Sequence, residues 1–220
     1  MYLVSSWHSA PAAPNLQGAN IHLWWIDCTT ASGAKAFLSP DERERAARSA
    51  HPAAFICFRS ALRRILARYV GLEPQELKLD YGPLGKPFLV HPQTTPSFNL
   101  AHSGGHGLLA LGNDVELGVD LERVLPFPRA VVIARRQLGE AIADRLALLP
   151  GPARSQAFFE EWTLMEARAK AGGGGVFAPP KTDYETVSFA PRAGWCAALA
   201  SSRPLLHPCN WLTFELDRVG

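Results

Sequence analysis

The 220-residue, 23.9 kDa chain is 47% hydrophobic and 19% charged, with eleven Phe and six Trp, so it can bury the core of one large domain or of two smaller ones; wholesale disorder is excluded. Twenty-two Lys and Arg against twenty Asp and Glu leave a net charge of +2, too little to grip a nucleic-acid backbone or an anionic membrane. No run approaches the roughly 18 consecutive apolar residues of a membrane span. Cys28, Cys57, Cys196 and Cys209 form no CxxC pair and no small-domain disulfide framework, so reduced thiols in a cytoplasm are expected.

Residues 1–20 are rich in Ser, Ala, Pro and Asn, lack the basic start and apolar run of a signal peptide, and read as a flexible extension. The aromatic and branched segment 21–27 (IHLWWID) predicts a buried strand that opens the folded part. Ser39, followed by Pro40, Asp41 and Glu42, sets a hydroxyl at an N-cap, proline at the first helical position and a carboxylate three after the cap; a helix starts there. A second helix is predicted over 53–70, where Phe55, Phe58, Leu62, Leu66 and Tyr69 recur on one side before Gly71. The other side carries Arg59, Arg63, Arg64 and Arg68. Over 41–70 seven arginines accompany three acids, which suits either a solvated helix face or an anion-binding surface.

The Gly- and Pro-punctuated segment 81–87 (YGPLGKP) is a loop, and 96–111 reads as a strand, a turn at His102, Ser103 and Gly104, and an apolar strand. Residues 115–124 alternate, with Val115, Leu117, Val119 and Leu121 on one face and Glu116, Gly118, Asp120 and Glu122 on the other, as in a half-buried strand. A mixed segment with two prolines follows, then a helix over about 138–149 and a break at 150–152. The most strongly patterned helix spans 155–171, with Phe158, Trp162, Met165 and Ala169 at helical spacing and Gly172 to Gly175 behind it. The remainder alternates as two or three short antiparallel strands. Helices and strands recur in similar order on either side of residue 114, so an α+β chain of two structurally similar halves is expected, each an antiparallel sheet packed with helices.

Asp120 and Glu122 lie two apart on a strand, so both carboxylates project from one face and repel. A hard divalent cation such as Mg²⁺ between them is one reading; two exposed acids on the wet side of a sheet is the other. Glu166 and Lys170 stand at i and i+4, off the aromatic stripe of their helix. As a surface pair they supply only about 0.3 to 0.5 kcal/mol; beside Asp120 they complete a metal and diphosphate site. His102 precedes glycines that let the backbone approach a ligand, with Ser103 next to it, although a structural, hydrogen-bonding histidine fits the same pattern. There is no Ser-His-Asp motif, no GxGxxG and no GxxxxGK[ST], and Gly172 to Gly175 follow their helix, which argues against a P-loop.

These residues fall in six ordered blocks: FLSPDERERAARS (37–49), FRSALRRILARYVG (58–71), GPLGKPFL (82–89), FNLAHSGG (98–105), LGVDLERV (117–124) and FFEEWTLMEARAKAGGGG (158–175). Their order and gaps resemble the Sfp-type 4′-phosphopantetheinyl transferases over most of residues 21–189, and GVDLE (118–122) paired with WTLMEARAK (162–170) is the specific part. The resemblance implies Mg²⁺-dependent transfer of the phosphopantetheine arm of coenzyme A to a serine of an apo acyl or peptidyl carrier protein, releasing 3′,5′-adenosine bisphosphate. It implies that Asp120, Glu122 and Glu166 bind the metal and that Lys170 contacts a phosphate oxygen where charge grows. By the same resemblance Arg45, Arg59 and His102 receive the 3′-phosphate, with Ser103 beside them, and Lys86 and Pro87 line the nucleotide site. A metal-bound water or Glu166 takes the serine proton.

Carrier proteins of this family are acidic around the modified serine, which makes the arginine excess a candidate docking surface. The corresponding division is a 1–20 extension, a 21–114 half with nucleotide contacts and carrier docking, and a 115–220 half with the metal site and catalytic helix, acting as a cytoplasmic monomer. Two positions depart from the family. Met165 stands where Lys usually precedes the metal-binding Glu, implying weaker coenzyme A binding or compensation by Arg168. Ala101 precedes His102 where many relatives carry a hydroxyl or another small residue. Rival readings are a non-catalytic coenzyme A or carrier binder and an Mg²⁺-dependent phosphoesterase without a protein acceptor.

Overall fold

Residues 1–29, 33–83, 85–91, 96–173 and 183–216 are described by the computed structural model of the chain. In chain order its first elements are β1 (Tyr2–Leu3), β2 (His8–Ser9), β3 (His22–Asp27), α1 (Pro40–Arg48), α2 (Pro52–Val70), β4 (Lys78–Tyr81), β5 (Pro87–His91), β6 (Ser97–Ser103) and β7 (His106–Gly112). They continue with β8 (Leu117–Arg123), α3 (Ala130–Gln137), α4 (Glu140–Ala147), α5 (Gly151–Ala171), β9 (Glu185–Ala190), β10 (Trp195–Ser201) and β11 (Leu212–Glu215).

The strands form a five-stranded sheet ordered β2-β11-β3-β7-β6, a four-stranded sheet ordered β1-β9-β10-β8, and the β4-β5 hairpin. The alternation of β3 explains how the layers stack. Leu23 and Trp25 point into the core shared with the four-stranded sheet, among Val119, Leu121, Phe189, Ala197 and Leu199. Trp24 and Ile26 point the other way, onto Leu62, Ile65 and Leu66 of α2. On the far side, Ala167 and Ala171 of α5 pack against Ala198 and Ala200 of β10. Two sheets thus lie face to face with α2 and α5 outside them, an α+β arrangement.

Both sheets are mixed, which corrects the antiparallel expectation: β1 runs parallel to β9, and β11 runs parallel to β2 and β3. The last strand joins the five-stranded sheet, a long-range choice that period-two alternation does not encode. Residues 1–20 differ from a loose extension in contributing a strand to each sheet; Trp7 Nε1 donates to Pro191 O at 2.9 Å, and Thr213 Oγ1 donates to Ser6 O at 2.6 Å.

The capping box at α1 forms as predicted: Glu42 N–H donates to Ser39 Oγ, and Ser39 N–H donates to Glu42 Oε2. The helix expected near 138–149 is α4, but the mixed segment before it holds a further helix, α3, that ends just ahead of Gly139. The branched run Val131, Val132 and Ile133 disguises α3, which is held by burial of Ala130 and Ala134 against Ala143, Leu146 and Phe158. The break at 150–152 is the first turn of α5, where proline is tolerated because its missing N–H has no helical partner.

Cys28 and Cys57 are joined by a disulfide, which overturns the expectation of four reduced thiols; Cys196 and Cys209 are free. The two lie 29 positions apart, so no spacing motif announces the pair; the end of β3 and the buried face of α2 bring their Cα atoms to 6.0 Å. Closing such a span removes roughly 3 to 4 kcal/mol of unfolded-chain entropy. Among the described residues no helix is long and apolar enough to cross a membrane.

Candidate active site

The two sheets meet along a seam between their edge strands, β6 and β8. Asn99 Oδ1 on β6 accepts the Val119 N–H of β8 at 2.8 Å, joining the two edges. On β8, Val119 and Leu121 are held in the inter-sheet core, which turns Asp120 and Glu122 toward α5. Gly118 sets how closely that helix approaches: a Cβ there would lie 2.0 Å from Ala167 O and 2.3 Å from Ala171 N. Helix and strand therefore touch backbone to backbone, one residue from Glu166 and from Lys170.

Lys170 uses this proximity differently from the predicted i, i+4 pair. Its Nζ stands 2.5 Å from Asp120 Oδ1, while Asp120 Oδ2 is buried without a hydrogen-bond partner. Burial raises the Asp120 pKa, and the Lys170 charge opposes that rise. Burial also raises Glu122, with the Asp120 and Glu166 charges adding to the effect and a hydrogen bond from Ser103 Oγ at 2.9 Å opposing it. Glu166 is raised by burial and then by Asp120. The three carboxylates thus sense one another across β8 and α5.

Among the described residues no group of three or more His, Cys, Asp or Glu stands ready-made around a metal. The donor chemistry nevertheless fits a hard divalent cation: three mutually repelling carboxylates, one with an orphaned buried oxygen.

His102, on β6, completes this end of the seam. Its ring stacks on Phe58 of α2 with centroids 4.5 Å apart and planes 8° from parallel, leaving the opposite side open to solvent. Burial against that partner lowers its pKa, and the Lys170 charge lowers it further. The turn after Ser103 is made by Gly104 and Gly105, both with positive φ (53° and 82°), where a side chain would be strained. This turn returns the chain into β7 and leaves Ser103 free to reach Glu122.

The predicted nucleotide residues form a second cluster further along α2. The Arg45 guanidinium lies 3.9 Å above the Tyr81 ring, and that of Arg59 lies 5.6 Å from the same ring. Glu42 anchors Arg59 from below: Oε1 pairs with Arg59 Nε at 3.5 Å, and Oε2 accepts from Arg63 Nε at 2.6 Å. Arg63 is therefore not part of the exposed arginine face. Only 1% exposed, it also donates to Pro74 O and Leu77 O. Lys86 faces the protein as well, donating to Leu117 O at 2.7 Å and Ala171 O at 3.1 Å, with burial lowering its pKa. It thereby ties the β4-β5 hairpin to β8 and α5, and Pro87 starts β5 next to it.

Tyr81, Glu42 and Phe58 are site residues that sequence reasoning did not single out. Tyr81 stood in the quoted YGPLGKP loop, but its use as a platform for two arginines depends on α1 and α2 converging over it. Met165 is half-buried, and Arg168 donates to Thr186 on β9, two strands away from β8, so it does not replace the missing lysine near Asp120.

No protein-family model matches the chain. It is 40% identical over 210 residues to a Synechocystis sp. protein named as a 4′-phosphopantetheinyl transferase, covering 85% of this chain and 84% of that one. It is 33% identical over 183 residues to the 4′-phosphopantetheinyl transferase HetI of Nostoc sp., covering 79% and 77%. A mouse L-aminoadipate-semialdehyde dehydrogenase-phosphopantetheinyl transferase is 23% identical over 185 residues, covering 74% and 58%. With this similarity spanning the seam and both clusters beside it, the chain belongs to the Sfp-type 4′-phosphopantetheinyl transferase family.

Proposed function

We propose that this chain transfers the 4′-phosphopantetheine arm of coenzyme A to a serine hydroxyl of an apo acyl or peptidyl carrier protein, with release of 3′,5′-adenosine bisphosphate. The observation that carries the reading is the meeting of Asp120 from β8, Lys170 from α5 and His102 from β6 at one seam, where Asp120 and His102 each feel the charges of the other two.

Asp120, Glu122 and Glu166 would hold Mg²⁺, which when bound supplies Lewis-acid neutralisation of diphosphate charge. Lys170 offers an ammonium that can pass from Asp120 to a phosphate oxygen as the phosphorus–oxygen bond to the nucleotide side breaks and negative charge collects there. Ser103 holds the Glu122 carboxylate in orientation. Arg45 and Arg59, aligned over Tyr81, and the solvent-facing side of His102 form a basic rim for the nucleotide end and its 3′-phosphate. Lys86 supports this site through the protein backbone, holding the hairpin that carries Tyr81 against β8 and α5. The name of the mouse relative, which couples the activity to an enzyme, supports a protein acceptor.

The test is incubation with coenzyme A, Mg²⁺ and a set of apo carrier proteins, followed by intact mass measurement. A phosphopantetheine-sized gain on the carrier serine is expected. Cleavage of coenzyme A with every carrier unmodified would instead mark a phosphoesterase, and tight binding without cleavage would mark a binder.

A further inference from the structure

We propose that the Cys28–Cys57 disulfide is a positioning element of the nucleotide end of the coenzyme A site, and that its reduction by a dithiol weakens coenzyme A binding without unfolding the protein. The inference rests on the transferase reading above.

The bridge lies where three site-bearing elements meet. Cys57 immediately precedes Phe58, which stacks on His102, and Arg59, which lies over Tyr81. Cys28 directly follows β3, and its backbone N–H donates to Gly105 O at 2.8 Å, in the turn that follows His102 and Ser103. The covalent link therefore ties α2 to the end of β3, and the Cys28 hydrogen bond carries that tie to the β6-β7 turn, with the Phe58–His102 stack spanning the same gap. Without it, the register between Arg59 and His102 rests on that ring contact and on non-covalent contacts around α2.

The surrounding contacts explain why loss of the bridge affects the site more than the fold. Gly33 packs directly on α2, where a Cβ would lie 2.6 Å from the Cys57 backbone and Ile56 O. Ser60 Oγ donates to Ala34 O at 3.1 Å, and Leu38 is buried with Ala46 and Ile56. These contacts keep Gly33, Ala34 and Leu38 on the helix after the sulfur link is cut. The link is reachable from one side: Cys28 is half-buried, whereas Cys57 is 2% exposed. A dithiol thiolate attacks the Cys28 sulfur, the S–S bond breaks, and Cys57 leaves as a thiolate that takes up a proton. The second reductant thiol then displaces Cys28 as a thiol, giving two protein thiols and an oxidised dithiol.

The experiment compares oxidised full-length protein with protein reduced by dithiothreitol and freed of excess reagent without air. Denaturing alkylation defines the two forms: two cysteines, Cys196 and Cys209, are labelled in the first and four in the second. Coenzyme A and 3′-dephospho-coenzyme A are titrated calorimetrically, and carrier modification is followed in parallel. On reduction the coenzyme A Kd and KM are expected to rise by about fivefold or more, with kcat nearly unchanged and the 3′-dephospho compound less affected. The Cys28→Ser/Cys57→Ser variant should match the reduced form and ignore dithiol, with its far-UV circular dichroism native. Equal coenzyme A affinity in both redox forms, or four alkylated cysteines in the oxidised form, overturns the positioning role while leaving the transferase reading intact. Failure of either form to bind coenzyme A overturns both.

Discussion

Ser103 on β6 donates its hydroxyl to Glu122 Oε2 on β8 at 2.9 Å, so one sheet orients a carboxylate carried by the other. Residues that orient metal ligands typically contribute about 10- to 100-fold to metal affinity or activity. Ser103→Ala should therefore raise the half-activating Mg²⁺ concentration by about tenfold while saturating Mg²⁺ restores most of kcat, and Ser103→Thr should stay near wild type. A Mg²⁺ titration of carrier modification reads this directly. An unchanged half-activating concentration would confine Ser103 to a structural role.

Lys170 and Asp120 make a second relationship of this kind. Asp120 is 5% exposed, so removing the ammonium leaves a buried carboxylate without its counter-charge. Lys170→Met should abolish transfer and lower the melting temperature of metal-free protein. Added Mg²⁺ should then raise that temperature by more in the variant than in wild type, because the cation meets a less compensated set of carboxylates. Differential scanning fluorimetry against Mg²⁺ concentration tests it, and equal increments in the two proteins would separate the lysine from the metal.

Gly118→Ala isolates the approach of α5 to β8. The new methyl would meet Ala167 O and Ala171 N, backbone atoms of the helix carrying Glu166 and Lys170, so the whole helix must shift. Misplacement of reacting groups by about 1 Å can cost about 100-fold. Transfer should fall by that order with native circular dichroism, whereas Gly151→Ala, with open space around its Cβ, should be silent. Near-normal turnover in Gly118→Ala would show that the helix position is not critical.

How far these relationships were visible beforehand follows from their range along the chain. Strand β8 and its two faces were legible because Val119 and Leu121 alternate with Asp120 and Glu122, and α1 was legible because Ser39 and Glu42 complete a local capping box. Helix α5 was read from its stripe of Phe158 and Trp162, although its first turn hid behind Pro152. The second role of Glu42, as counter-ion to Arg59 and Arg63, depends on α2 packing over α1, and no local pattern carries it. The same holds for the parallel pairing of β11 and for Cys28 meeting Cys57: each joins segments that only the completed sheets bring together.

His22 gives the scaffold an acid limit. It is fully buried, with Nδ1 hydrogen-bonded to Tyr69 Oη at 2.8 Å, and burial lowers its pKa to about 4. In the unfolded chain the group titrates near 6.5, so its contribution is complete above that pH and is lost as pH falls from 6.5 through 4. The loss is on the order of 3 kcal/mol. His102, also lowered, acts in the same direction, whereas the raised carboxylates Asp120, Glu122 and Glu166 act in the opposite one. Comparing His22→Asn with wild type therefore isolates this residue. Urea unfolding at pH 7.5, 5.5 and 4.5 should show a flatter profile for the variant, and parallel profiles would reject the assignment.

Arg59 and Arg63, four residues apart on α2, share the carboxylate of Glu42 and should answer substitution in opposite ways. Arg63 is sealed, with its guanidinium spent on Glu42 and on two backbone carbonyls, so Arg63→Ala strands a buried carboxylate and should destabilise the fold by about 3 kcal/mol or more. Arg59 is partly open, at a longer 3.5 Å from Glu42 and facing Tyr81, so it can turn a guanidinium edge toward a phosphate while Arg63 still compensates the acid. Arg59→Ala should leave unfolding nearly unchanged yet raise the KM for coenzyme A by about tenfold, as for loss of one charge-assisted contact. With 3′-dephospho-coenzyme A the same variant should lose much less. Equal losses on both substrates would move Arg59 away from the 3′-phosphate, and strong destabilisation by Arg59→Ala would make it a second structural partner of Glu42.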